Sequence, residues 1–286
     1  MKASIKLATL IFFVVCATQF VNAQNTAETP PPVSLWKKSW VGNLNGSQAQ
    51  YSNWSGGGVN SIAATGSTVF SAQYKKEKFG YKADVNLKYG QTRIDWDNVQ
   101  KTDDLIRFTN KGEFYFSNEA WSSFAIVDFK TQFDQGFNND NILVSNFFAP
   151  AFFQEALGIA YKPDDKFSAE AGLALKQTIV SDTSLSRYYG VQTGKSFRNE
   201  GGLSIALKYK TPIMENTTYT GSLETFTNVQ THLINRTDFL FSNEINGKIN
   251  DFLSANIQFA VMYDRDFNNK LQIKQVLALG INVVFL

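Results

Sequence analysis

From Leu271 to Leu286 the odd positions read Leu, Ile, Gln, Leu, Leu, Ile, Val and Phe, while the even positions read Gln, Lys, Val, Ala, Gly, Asn, Val and Leu. A period of two with one bulky apolar face and one small or polar face predicts a β-strand that runs to the last residue. Phe252–Asp264 obeys the same rule, with Leu253, Ala255, Ile257, Phe259, Val261 and Tyr263 opposed to Ser254, Asn256, Gln258, Ala260, Met262 and Asp264. So do Tyr81–Gln91 and Leu203–Lys210, and Phe153–Tyr161, Phe167–Ile179 and Thr237–Ile249 follow with few exceptions. Weaker alternation marks residues 40–50, 61–75, 105–117, 121–133 and 216–227, which brings the count to twelve segments.

The connections alternate in length. Short turns fall at Lys76–Phe79, Ser117–Ala120, Pro163–Lys166, Pro212–Glu215 and Asn250–Asp251; longer loops fall at 51–60, 92–104, 134–151, 180–199, 228–236 and 264–270. Short turns at one end and long loops at the other are the rhythm of an outer-membrane barrel. The expected fold is therefore all-β, a transmembrane antiparallel up-and-down β-barrel of about 12 strands, with 10 or 14 also meeting the even count that such barrels keep. Lipid cannot satisfy backbone N–H and C=O groups, so a sheet that crosses it must close on itself. A soluble sandwich would instead turn its apolar faces onto a shared core, with tight hairpins at both ends.

The N-terminus agrees. Lys2 and Lys6 precede a mostly apolar stretch, Leu7–Cys16, and Val21-Asn22-Ala23 supplies small residues before Gln24, the pattern of a secretory signal peptide cleaved near Ala23-Gln24. Residues 1–23 are accordingly set apart, 24–38 with Pro30-Pro31-Pro32 read as a periplasmic lead-in, and 39–286 read as the barrel. Trp36 and Trp40 are expected to anchor the first strand at the inner interface. Beyond the leader there is no apolar run of transmembrane-helix length. Removing it takes away two lysines, no acid and the only cysteine, Cys16, leaving 25 basic against 25 acidic residues. A neutral, thiol-free chain argues against nucleic-acid binding, a disulfide framework and a thiolate metal site.

The motifs Asn53-Trp54-Ser55-Gly56-Gly57-Gly58 with Asn60-Ser61, Lys101-Thr102-Asp103-Asp104, Phe129-Lys130-Thr131-Gln132-Phe133 with Gly136-Phe137, Phe148-Ala149-Pro150-Ala151, and Leu157-Gly158 with Tyr161 and Pro163 resemble the signatures of an uncharacterised family. That family comprises outer-membrane β-barrel proteins of Bacteroidetes-type bacteria, with a domain of unknown function bearing an Asn-Trp-x-x-Gly-Gly motif. The resemblance runs from about Trp36 to past Ile179, and implies an outer-membrane location and a barrel, with no catalytic residue to carry over. The closing strand departs from the usual assembly signal, because the aromatic is the penultimate Phe285 and Leu286 has the opposite parity.

Candidate chemistry is sparse. His232, the single histidine, falls in a loop with Asp238 and Ser242 nearby, but no spacing assembles a catalytic set, so no enzyme activity and no cofactor is expected. Asn138-Asn139-Asp140-Asn141 and Asp264-Arg265-Asp266 lack the ordered ligand spacing of a calcium loop. The small or polar faces carry both signs of charge: Lys82, Asp84 and Lys88; Arg107, Lys111 and Glu113; Asp128 and Lys130; Glu170 and Lys176; Lys208 and Lys210; Glu224, Asp238, Glu244, Lys248 and Asp264. Such charges must be paired or solvated. They predict either a narrow water-filled pore for small solutes or a lumen closed by salt bridges. Asn53, Trp54, Gly56, Gly57 and Gly58 form a candidate constriction loop, since glycines allow close backbone approach. Expected partners are outer-membrane lipid, the barrel-assembly machinery during insertion and small solutes, with no nucleic acid; a non-conducting structural barrel and a lipid-acting enzyme are the alternative roles.

Overall fold

The computed structural model describes residues 34–50, 60–94, 99–138, 140–229, 237–265 and 268–286. Its strands are β1 (Trp36–Ala49), β2 (Ser61–Lys76), β3 (Phe79–Ile94), β4 (Gln100–Tyr115), β5 (Trp121–Thr131), the short loop strands β6 (Gly136–Phe137) and β7 (Leu143–Ser145), then β8 (Ala151–Tyr161), β9 (Phe167–Ile179), β10 (Phe197–Met214), β11 (Thr217–Asn228), β12 (Thr237–Lys248), β13 (Leu253–Asp264) and β14 (Asn268–Val284). A 3-10 helix occupies Thr183–Tyr189.

Twelve of these strands, β1–β5 and β8–β14, form one closed antiparallel barrel in which each pairs with its neighbours in sequence and β14 returns to β1. The closing seam sets Val41 opposite Val284 and runs to Gly46 opposite Leu279. Beyond the strand it is extended by the Trp40 N–H donating to the Leu286 carbonyl (2.9 Å) and the Phe285 N–H donating to the Trp40 carbonyl (2.8 Å), while the Phe285 ring lies 4.7 Å from that of Trp40. Leu286 is exposed at the end of the seam.

The side-chain parity follows the sequence pattern. On β14, Leu271, Ile273, Leu277, Leu279 and Ile281 face outward and are exposed, Leu277 by 75%, a face that water would penalise. Leu157 on β8 pairs outward with Leu173 on β9, and both are largely exposed. Aromatic pairs collect near both ends of the wall. Trp36–Tyr74, Trp121–Tyr161 and Tyr209–Tyr219 lie at the short-turn end; Phe108–Phe129, Phe129–Phe153 and Phe239–Tyr263 lie toward the long loops.

Several boundaries move. β1 starts at Trp36, inside the stretch whose composition reads as a lead-in. β3 and β4 together extend from Phe79 to Tyr115 with only 95–99 between them, so Lys101–Asp104 lies within β4, where alternation alone places a loop. The hairpin outruns its apolar pattern because backbone pairing continues where side chains no longer face an apolar medium. Pro212 lies inside β10, where the register shifts between Pro212 and Met214; a proline offers no N–H to a ladder and is accommodated at such an irregularity.

Part of the interior is packed. Phe124 on β5, Ala156 and Ala160 on β8, Ala174 on β9 and Phe226 on β11 are all buried and point inward, with Ile126 against them. Gly158 faces Gly172 across β8–β9, and a methyl on either would run into the neighbouring strand's backbone; Gly202 gives space to the Phe226 ring. Small inward residues thus let neighbouring strands and the two aromatic rings approach closely.

A charge-crossed lumen as the candidate functional site

The inward face of β4 presents Asp103, Leu105, Arg107, Thr109, Lys111 and Glu113, because these positions pair with Gly90, Lys88, Asn86, Asp84, Lys82 and Gly80 of β3. Several of these charges find their partners across the barrel. Arg107 Nε donates to Asp128 Oδ1 on neighbouring β5 (2.7 Å), while its Nη2 lies 3.7 Å from Glu224 Oε2 on β11, five strands away round the wall. Lys111 Nζ bridges Glu113 (2.9 Å) and Glu170 on β9 (2.7 Å). Lys176 on β9 reaches Asp238 on β12 (2.7 Å) and Asp264 on β13 (3.7 Å). Lys274 on β14 pairs with Asp103 on β4, which Lys88 also approaches at 3.3 Å. Side chains of ordinary length make these links only across a narrow interior.

The remaining sequence candidates are local. Lys82 bonds Asp84 two residues on (2.7 Å), and Glu244 accepts from Asn256 Nδ2 (2.7 Å). Lys208 faces inward opposite Ser222, within electrostatic range of Lys82 and Lys210. Lys248 sits at the end of β12 and bonds Asp251 of the turn (2.8 Å), with both side chains mostly exposed. Asp164 and Asp251, on the same end, are held below the usual carboxylate range: Asp164 by the Phe167 and Lys166 N–H groups, Asp251 by the Lys248 ammonium. Asn53, Trp54, Gly56, Gly57, Gly58 and His232 lie outside the described residues. Ser242 faces the lumen opposite Ser222, and Asp238 is engaged by Lys176. Asn138 Oδ1 accepts from the N–H groups of Asp140 and Ile142 and so closes a turn.

The lumen has two unlike sides. From β4 to β13 it carries the apolar cluster and a cavity of about 520 Å³ bounded by Arg107, Lys130, Phe152, Lys176, Glu224 and Asp264 among others. From β13 through β14 and β1 to β2 the inward positions are mostly small or polar: Asn256, Gln258 and Ala260; Lys274, Ala278, Gly280 and Asn282; Asn43, Asn45 and Ser47; Thr65, Ser67 and Ser71, with Met262, Val276, Val41 and Val69 as the apolar exceptions.

Charges that the segment boundaries hide also matter. Arg198 and Asn228 lie where alternation places loops and Glu200 falls before the Leu203–Lys210 segment, yet Glu200 is buried, and its Oε1 accepts from Arg198 and from Asn228 Nδ2 (2.6 Å). The signal is the run Arg198, Glu200, Gly202, Ser204, which continues the inward parity of β10.

Two long loops leave the β5–β10 side and build an ordered cap. Residues 132–150 and 180–196 share a small core of Ala149, Val180, Leu185 and Val191, with Leu143 and Tyr189 against it. Tyr189 Oη donates to the Val144 carbonyl (2.6 Å), and burial pushes its phenol above the ordinary tyrosine value. Asp104, almost fully buried, accepts from the N–H groups of Phe133 (2.7 Å) and Asp134 (2.9 Å) and from Lys101 Nζ (2.9 Å); Lys101 also donates to the Asp134 carbonyl (2.7 Å).

Residues 47–137 match the model of a family described as "Protein of unknown function (DUF3078)", a stretch that includes both Lys101–Asp104 and Phe129–Phe133. Among curated proteins none matches in sequence. Similar solved structures include an outer membrane channel from Pseudomonas putida F1 (9% identity, 91% of this chain and 99% of that one, TM-score 0.41), the translocator domain of the autotransporter NalP from Neisseria meningitidis (10%, 89% and 89%, 0.37) and the outer membrane channel DcaP of Acinetobacter baumannii (8%, 87% and 97%, 0.37).

Proposed function

We propose that this chain is an integral outer-membrane β-barrel that passes small solutes through a narrow lumen constricted by transverse ion pairs. Closure of all twelve strands, an exposed bulky apolar face and aromatic bands toward both ends support the membrane location. The signal-type N-terminus fits delivery to that membrane and insertion by its barrel-assembly machinery.

The asymmetry of the lumen carries the transport reading. A wall of mostly small or polar side chains on β13, β14, β1 and β2, crossed toward the long loops by the Lys274–Asp103 pair, faces a wall filled by Phe124, Phe226 and paired charges, which favours a water path on the small-residue side. The Arg107–Glu224 link and the apolar cluster favour a second reading, a non-conducting barrel that presents its external cap to a partner.

Single-channel recording of the refolded protein in planar bilayers separates the two. Small, stable unitary steps are expected, with ion selectivity shifted toward cations by Lys82→Glu. A barrel that is folded by heat-modifiable gel migration yet gives no steps supports the second reading and refutes the first.

A further inference from the structure

Just before β8 the 132–150 loop reverses direction at Asn146–Ala149. The Asn146 N–H donates to the Ala149 carbonyl (2.8 Å) and the Ala149 N–H to the Asn146 carbonyl (2.9 Å), so Phe147 and Phe148 form the corner of a tight turn. Phe148 holds this corner at a φ of 54°, in the left-handed region that turns ordinarily give to glycine or asparagine. The corner is fixed from both cap loops. Gln132 Nε2 donates to the Asn146 (2.7 Å) and Ala149 (3.2 Å) carbonyls, while Ser181 donates through its N–H to the Phe148 carbonyl (2.8 Å) and through Oγ to the Phe147 carbonyl (2.9 Å). This shape carries two rings outside the wall. The Phe148 ring lies 5.6 Å from that of Phe129, an outward residue of β5 that also meets Phe108 and Phe153 in the aromatic band toward the long loops. Phe147, with its ring 4.8 Å from that of Phe148, is 52% exposed. Phe133, where the same loop leaves β5, repeats the arrangement: it is exposed, and its ring lies 6.4 Å from that of outward-facing Tyr89 on β3.

We propose that the Phe147–Phe148 corner is a lipid-docking site, which seats the external cap in the boundary between head groups and acyl chains of the outer leaflet. Two observations name lipid as the occupant. The rings continue the outward aromatic band past the end of β5 at Thr131, so the surface they extend is the one that already faces the membrane. The corner also needs no water for its backbone: all four of its carbonyls are taken by the bonds above, and Asn146 Oδ1 accepts from the Phe147 N–H (2.8 Å). A tip that is apolar in its side chains and satisfied in its backbone suits entry into lipid. Because Ser181 opens the 180–196 loop, docking at this one corner holds both loops, and with them the cap, to the membrane surface. The assignment rests on the membrane location proposed above and does not require the lumen to conduct.

The test uses the single cysteine of the chain, Cys16. With Cys16→Ser in place, a nitroxide can be set at one site at a time by Phe147→Cys, by Leu157→Cys on the outward face of β8, or by Thr193→Cys, exposed in the cap. Each labelled chain is refolded into phosphatidylcholine vesicles, with folding checked by heat-modifiable migration. Electron paramagnetic resonance then gives its collision rates with oxygen, which concentrates in lipid, and with a water-soluble nickel chelate. Oxygen should dominate at 157 and the nickel chelate at 193. At 147 the ratio of oxygen to nickel collisions should exceed that at 193 severalfold and fall below that at 157, the order expected for a boundary depth. A ratio at 147 equal to that at 193, with 157 in lipid, overturns the docking and leaves the corner in water for a protein partner. Dipolar broadening at 147 that vanishes on dilution with unlabelled chain places a second copy on the corner and overturns it as well. A water-like ratio at 157 refutes the membrane location itself, and the docking with it.

Discussion

Asp104 shows how one carboxylate can hold a loop. It takes two backbone N–H groups from the start of the 132–150 loop and the ammonium of Lys101 on its own strand, and its side chain is 3% exposed, so Asp104→Ala strands the two N–H donors and leaves Lys101 only the Asp134 carbonyl. Each orphaned donor costs about 1–3 kcal/mol where it is buried, so amide exchange at Phe133–Phe137 should speed by about tenfold or more while the barrel's melting temperature stays near wild type. Unchanged exchange would mean that the loop is held elsewhere. Tyr189 gives a second residue-scale prediction, this one in pH. Its folded value is raised mainly by burial, so the neutral phenol stabilises the cap below the unfolded value of about 10, and that contribution is lost as pH rises through the folded value. A difference titration of tyrosinate absorbance between wild type and Tyr189→Phe should show one phenol ionising above pH 10 together with opening of the cap; ionisation at or below 10 contradicts the burial account. The Lys101–Asp104 motif is visible in the sequence, but its role is not, because the groups it holds lie some thirty residues on. Lys130 was legible as an inward charge from parity alone. That it touches the Phe152 ring and, among the described residues, no carboxylate depends on which strands face each other across the lumen, which no local pattern encodes.

Among the elements, the strands were readable wherever one face meets an apolar surroundings, as in β9, whose ends Phe167 and Ile179 are those the alternation marks. They were unreadable where both faces are polar, as where β3 and β4 project past Gln91 and Lys101. Glycine adds information that periodicity lacks. Gly158 and Gly172 face each other where β8 and β9 approach closely, and an added Cβ would meet the opposite backbone rather than a yielding side chain. Gly112 has open space at the same position of its own side chain. Gly158→Val should therefore prevent formation of the heat-modifiable barrel, while Gly112→Ala should refold like wild type. Normal refolding of Gly158→Val would show that the close approach of β8 and β9 does not depend on glycine.

For the whole molecule, the question is what sets the width of the lumen, and the cross-barrel ion pairs are the obvious struts. Arg107→Ala alone leaves Asp128 and Glu224 without their cation, so it destabilises the barrel and obscures any change in the pore. Removing both ends of the cross-lumen link, Arg107→Ala with Glu224→Ala, takes away one charge of each sign and leaves the net charge of the lining unchanged. Conductance should then rise, by roughly twofold or more, with ion selectivity close to wild type, because a constriction has been widened without recharging its wall. Lys82→Glu should do the opposite, moving selectivity toward cations with little change in conductance, since Lys82 pairs along its own strand with Asp84 and does not cross the lumen. The two variants thus separate width from charge. If the double variant conducts no better, the next strut to test is the one that crosses the small-residue side, between Lys274 and Asp103 near the long-loop end, and Lys274→Ala becomes the variant that must widen the path. Failure of both to raise conductance would place the barrier on the filled side, where Lys111–Glu170, Lys176–Asp238 and the packed cluster around Phe124 and Phe226 remain.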